Sequence, residues 1–102
     1  MEIEYLDRGA RDAATPPGVR PPGWSHAEVG RLRLVVQCIR AGRVPSDVLS
    51  LRSLRLRTDP DDPASVRTEL SFGRALTLVF KADSSPITAM LDIAPTRTDS
   101  GR

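Results

Sequence analysis

The sequence predicts an α+β domain of two layers, an antiparallel meander sheet of three to five strands with one main helix packed on it. Three observations lead there. Residues 25–41 carry apolar side chains at helical spacing. Several later segments alternate at the period of a strand. The strands also follow one another without intervening helices, which gives a sheet with helix on one face rather than βαβ units.

The chain has 102 residues, enough for one domain with one modest core. Residues 1–93 are expected to form it, with 8–24 as a proline-rich arm and 94–102 as a flexible polar tail.

Met1 to Asp7 reads as a short strand, with Ile3 and Tyr5 alternating with Glu2 and Glu4. The arm contains Pro16-Pro17-Gly18 and Pro21-Pro22-Gly23. Proline lacks the N–H that helices and central strands need, so an ordered loop or mobile connector is expected. In the helix that follows, Ser25 and Glu28 have capping-box spacing. Val29, Leu32, Val35, Val36 and Ile39 form an apolar stripe about 120° wide. Gly42 stands where a left-handed C-terminal residue belongs. Leu34, Cys38 and Ala41 make a smaller apolar patch on the opposite side, which Trp24 and the arm are expected to cover.

Pro45-Ser46-Asp47 can start a helical turn through Leu51. Leu54 and Leu56 then alternate with Arg55 and Arg57, and residues 58–63 read as a loop from their aspartates and prolines. Val66, Thr68 and Leu70 form a strand with one polar face. Residues 75–80 are apolar on both faces and are expected at the centre of the sheet. Ser71 to Arg74 connects these two strands as a hairpin, with Gly73 free to take positive φ. After a second turn at residues 81–86, Ile87, Ala89, Leu91 and Ile93 line one face of the last strand.

Composition narrows the function. Hydrophobic residues make up 39% and charged residues 27% of the chain, as in an ordinary soluble domain. No apolar run approaches the roughly 18 residues of a membrane span, and the N-terminus lacks the apolar core of a signal peptide. A cytoplasmic protein is expected. The single cysteine, Cys38, excludes an internal disulfide and reads as a small buried hydrophobe. No metal site and no cofactor are expected. His26, the only histidine, lies in the first helical turn and reads as a surface residue. Asp59, Asp61 and Asp62 match no calcium-loop spacing.

Net charge is +2, and fourteen of the fifteen basic residues are arginine, Lys81 being the exception. The guanidinium fork matches phosphate oxygens, although a GC-rich coding bias also produces arginine in place of lysine. Placement is therefore the better guide. Arg52, Arg55, Arg57, Arg67 and Arg74 fall in or beside the strands, followed by Lys81. If neighbouring strands present Arg55, Arg57 and Arg67 to one open face, they form a basic concavity suited to a phosphate backbone. Solvated strand faces balanced by Glu69 and the aspartates are the alternative.

The segments MEIEYLD, RLRLVVQCIRAG, PSDVLSLRSLRLR, SVRTELSFGRALTLVF and ITAMLDI, in this order, resemble the RelE/HigB-type toxins of bacterial toxin–antitoxin systems. The likeness includes the branch labelled plasmid-maintenance killer or HigA-like suppression protein, and covers about residues 1–7 and 25–93. It implies a RelE-like fold and a metal-independent endoribonuclease that cuts messenger RNA on the ribosome and is neutralised by a cognate antitoxin protein. On that likeness Arg57, Arg74 and Lys81 are the catalytic candidates, and Arg52, Arg55 and Arg67 bind RNA. Arg74 and Lys81 stand at turn edges and are expected to matter little for stability. Where the family carries a leucine-lysine-glycine-aspartate segment, this chain reads LRLRTDPDDPAS, and the family's terminal tyrosine and histidine are replaced by Ile93-Ala94-Pro95. Those departures keep open a second expectation, a catalytically degenerate protein on the same fold that binds a protein partner.

Overall fold

The computed structural model describes residues 1–15, 20–71, 73–81, 83 and 85–95. Its sheet has five strands in the order β1-β5-β4-β3-β2, with helices packed on one face. The strands are β1 (Glu2–Tyr5), β2 (Arg57–Asp59), β3 (Asp62–Ser71), β4 (Arg74–Lys81) and β5 (Thr88–Pro95). The helices are α1 (Arg8–Ala14), α2 (His26–Ala41) and α3 (Pro45–Leu49), followed by a single 3-10 turn at Arg52–Leu54.

The α+β class and the central place of residues 75–80 agree with the sequence reading. β4 lies in the middle of the five, and Ala75, Leu76 and Leu78 on it are fully buried. From β2 to β5 the sheet is an antiparallel meander. β1 departs from it. It pairs in parallel with β5, from Glu2 beside Thr88 to Tyr5 beside Leu91, so the sheet is mixed. A short alternating strand carries no mark of its direction. The chain passes through three helices between β1 and the meander, which gives it the length to return in either sense.

The arm at 8–24 is not a loop throughout, because its first half is α1. Asp7 caps that helix, its Oδ2 accepting from the Ala10 amide at 2.9 Å. Ala10 and Ala13, one turn apart, are fully buried. Arg33 Nε of α2 donates to the Ala13 carbonyl at 2.9 Å and satisfies one of the open acceptors at the helix end. Residues 16–19, with the first proline pair, lie outside the described residues. The second pair ends in Gly23 at φ +83, a left-handed position that suits glycine. That turn delivers Trp24 into the core at 6% exposure.

The capping box of α2 is present as expected, with Ser25 Oγ accepting from the Glu28 amide and Glu28 Oε1 accepting from the Ser25 amide. The five stripe residues are all buried. Each such side chain contributes roughly 1.5–3 kcal/mol by leaving water, so this face provides much of the attachment of helix to sheet. Gly42 is extended (φ −84) rather than left-handed. The tight constraint there is space, since a Cβ would approach the Asp47 Cβ to 3.1 Å. The second patch is only partly covered. Cys38 packs against the core, whereas Leu34 and Ala41 remain exposed.

Two further expectations fail at the entry to the meander. The alternation from Leu54 to Arg57 is not a strand. Leu54 ends the 3-10 turn with its side chain fully buried, and Arg55 is left-handed. The predicted loop at 58–63 is instead the tip of the β2–β3 hairpin. Asp59 Oδ1 and Asp62 Oδ1 accept from the amides of Asp61 and Ala64, which makes those aspartates hairpin-forming residues. At the other end β5 runs to Pro95, two residues into the predicted tail, and residues 96–102 lie outside the described residues.

Candidate nucleic-acid interface

The two faces of β3 differ. Thr68 and Leu70 point to α2 and are buried, whereas Arg67 and Glu69 lie on the opposite, open face. Arg57 of β2 stands directly across from Arg67 in the register and shares that face. This is also the last register pair of β2 with β3. Beyond it, the outer edge of β3 from residue 68 to 71 runs on without a strand beside it among the described residues. The register also shifts between Glu69 and Ser71. Such bulges bend an edge and re-aim its side chains.

A recess of about 500 Å³ lies along this open edge. Arg31, Arg55, Arg57 and Arg67 line it, with Glu69 as its one carboxylate among the described residues. Arg55, Arg57 and Arg67 thus border one recess, although Arg55 reaches it from a turn rather than from a strand. Its φ of 53 and ψ of 41 reverse the chain after Leu54 is buried. A left-handed backbone costs a residue with a Cβ roughly 1–2 kcal/mol.

Arg31 was not among the sequence candidates, since it occupies a polar position on α2 with no motif around it. Its Nη1 donates to the Ser53 carbonyl at 3.0 Å, and its Nη2 to the Leu54 carbonyl at 2.6 Å and to Thr68 Oγ1 at 3.0 Å. Thr68 Oγ1 donates in turn to the Leu54 carbonyl at 2.7 Å. One guanidinium thus ties helix, turn and strand together through neutral oxygens. Arg67 Nη2 likewise donates to a neutral acceptor, the Pro95 carbonyl, at 3.3 Å. Among the described residues none of these four arginines has a carboxylate within ion-pair distance. Four guanidinium groups therefore line one recess without an ion pair among the described residues, an arrangement that attracts anions.

The other candidates lie elsewhere. Arg52 is exposed on the 3-10 turn and does not line the recess. Arg74 and Lys81 occupy the two ends of β4. Seven strand steps separate them by about 23 Å, and their odd spacing places them on opposite faces. They cannot hold one phosphate together, so the expected catalytic set of Arg57, Arg74 and Lys81 is not assembled.

Arg74 is instead built into the core edge. Its Nη1 lies 2.6 Å from Glu28 Oε2 and 3.3 Å from the Gly23 carbonyl, and its guanidinium carbon sits 4.6 Å from the centroid of the Trp24 ring. Burial opposes the charge on Glu28. Hydrogen bonds from Ser71 and the Ser25 amide, with the charge of Arg74, outweigh it and hold the carboxyl below its ordinary value of 4.5. His26 is exposed at the start of α2, remote in role from the recess. Among the described residues no three His, Cys, Asp or Glu side chains gather as metal ligands, and no helix is long and apolar enough to cross a membrane.

The recess therefore presents cationic hydrogen-bond donors whose geometry matches phosphate oxygens. Its guanidinium groups take no part in proton transfer, because guanidinium stays protonated at any ordinary pH. The chain matches no model of a known protein family and no curated protein.

Proposed function

We propose that the protein is the toxin component of a type II toxin–antitoxin pair, which binds messenger RNA in the recess and cleaves its backbone without a metal, on the ribosome or free. The observation that supports this reading is the convergence of Arg31, Arg55, Arg57 and Arg67, none cancelled by a carboxylate among the described residues. In the reaction the RNA 2′-oxygen attacks the adjacent phosphorus and the 5′-oxygen leaves, giving a cyclic phosphate and a 5′-hydroxyl end. The arginines stabilise the added negative charge on the phosphoryl oxygens, as preorganised donors do. Water takes the proton from the 2′-hydroxyl and returns one to the leaving oxygen. Catalysis of this kind is modest, since proton transfer by a positioned side chain is worth typically 10²–10⁴-fold.

One observation favours a second reading, a catalytically degenerate protein of the same fold acting as a suppressor or host-interaction factor. Arg74 is committed to Glu28 and Trp24, and Lys81 stands at the far end of β4. The recess then binds without cutting.

Induction of the chain in a bacterial host, with messenger 5′ ends mapped in the same culture, separates the two. Growth arrest with new internal ends, both lost when Arg57 and Arg67 are changed to alanine, is the expected result. Normal growth and intact messages, with the folded protein confirmed in the cell, overturn the nuclease reading and leave the second.

A further inference from the structure

Among the described residues, Glu69 is the one carboxylate in a recess that four arginines line together with neutral residues of β2, β3 and their hairpin. It is exposed, and it stands two residues from Arg67 on the same face of β3, about 7 Å along the strand. Despite that spacing it makes no ion pair with Arg67, whose guanidinium turns to the Pro95 carbonyl. The register shift that begins at Glu69 lies in the same wall. A free carboxylate works against phosphate binding, because it repels the ligand that the arginines attract. Its place in the recess makes sense if it meets a neutral part of the ligand that donates hydrogen bonds.

We propose that Glu69 selects guanine in single-stranded RNA held by the recess arginines, an inference that rests on the RNA-binding reading above. A carboxylate only accepts, through two oxygens side by side. Guanine alone among the four bases presents two adjacent donors on its pairing edge, the N1–H and the N2 amino group. Adenine and cytosine each present one amino group beside an acceptor nitrogen. Uracil presents an N3–H flanked by two carbonyls, which repel a carboxylate on both sides. The expected order is therefore guanine first, adenine and cytosine next, and uracil last. Bases in a single strand expose these edges, whereas a duplex hides them. The recess is also large enough for such a ligand, since small-molecule pockets run from about 300 to 1,000 Å³.

The test is direct binding of short single-stranded RNAs that are all uridine except for one central G, A or C, beside the all-uridine parent. The wild-type protein is expected to bind the G oligomer about tenfold more tightly than the parent, within the range of a bidentate contact to a base. Glu69→Gln should reduce that preference to about twofold and strengthen binding of the parent, since the repulsion is gone while the side chain keeps its size. The double change of Arg57 and Arg67 to alanine should weaken all four oligomers alike. Salt-sensitive binding of all four without a preference for G, or a preference that survives Glu69→Gln, overturns the role of Glu69 and leaves RNA binding standing. Absence of salt-sensitive binding to any oligomer overturns the RNA reading and this inference with it.

Discussion

Arg74 and Glu28, forty-six positions apart in the chain, meet with Nη1 and Oε2 at a separation of 2.6 Å. The same carboxylate closes the capping box of α2 through its other oxygen. Glu28 thus joins the start of the helix to the start of β4, and Arg74 covers the joint by lying over Trp24. The side chains are 25% and 6% exposed, so water screens this pair less than a surface one.

Replacing Arg74 by alanine is expected to cost about 2 kcal/mol, the scale of a hydrogen bond to a charged group left unmade. Urea unfolding would measure it. Arg74→Lys should recover only part of the loss, because an ammonium lacks the planar fork that lies flat over the indole. A double-mutant cycle with Glu28→Gln should return a coupling of about 1 kcal/mol.

The depressed ionisation of Glu28 makes part of the stability depend on pH. Its folded value lies below 4.5, so the unfolded chain takes up the proton first on acidification. The contribution is complete above 4.5, falls as pH drops below it, and is gone below the folded value. Comparing wild type with Glu28→Gln by thermal unfolding, the gap in Tm should be constant near neutrality and should narrow in acid. A gap that widened in acid would contradict this assignment.

In the recess, single alanine changes at Arg55, Arg57 and Arg67 should weaken RNA binding across all sequences. Each should also reduce the steepness of log affinity against log salt by about 1. Glu69→Lys should do the reverse and raise affinity. Filter binding over a range of salt reads both quantities. Stability should change by less than about 0.5 kcal/mol at Arg57, which is exposed.

Arg55 offers a sharper contrast. Glycine removes the left-handed penalty, and Arg55→Gly should stabilise the fold by up to about 1 kcal/mol after the flexibility it adds to the unfolded chain is set against the gain. The same change should lower RNA affinity. A variant that became more stable while binding less would show that the strain at this turn is retained for its side chain.

The sequence made some of these elements legible and hid others for identifiable reasons. α2 was readable because a cap, a long apolar stripe and a stop coincide within residues 25–42. α1 was not, since it buries only Ala10 and Ala13, and alanine adds little to a hydrophobic pattern. The prolines after it drew attention to a loop, while Asp7 three residues before Ala10 was the unused sign of a helix start. β2 was shifted because Leu54 and Leu56 alternate like strand residues, although Leu54 serves the core from a 3-10 turn. Prolines at 60 and 63 suggested a loop, yet Pro60 lies in the hairpin turn and Pro63 precedes Ser65, where the pairing of β3 with β4 starts. The meeting of Arg57 with Arg67 could be anticipated from alternation. Arg31 could not, because nothing local to α2 reveals that a carbonyl of the 3-10 turn and a threonine of β3 converge there. The same limit explains Arg74, whose partners Gly23, Trp24 and Glu28 are distant in sequence.

The parallel pairing of β1 with β5 has a mechanical side. The two strands start at the same end of the sheet, so a pull that draws Glu2 and Pro95 apart drags them past each other along their length. The hydrogen bonds between them, running from one strand across to the other, then carry the load together instead of opening one by one. Stretched in that direction, the domain should yield abruptly at high force. Pulled across β2 and β3, whose antiparallel ladder begins at a hairpin tip, it should unzip gradually from the edge that holds the arginines.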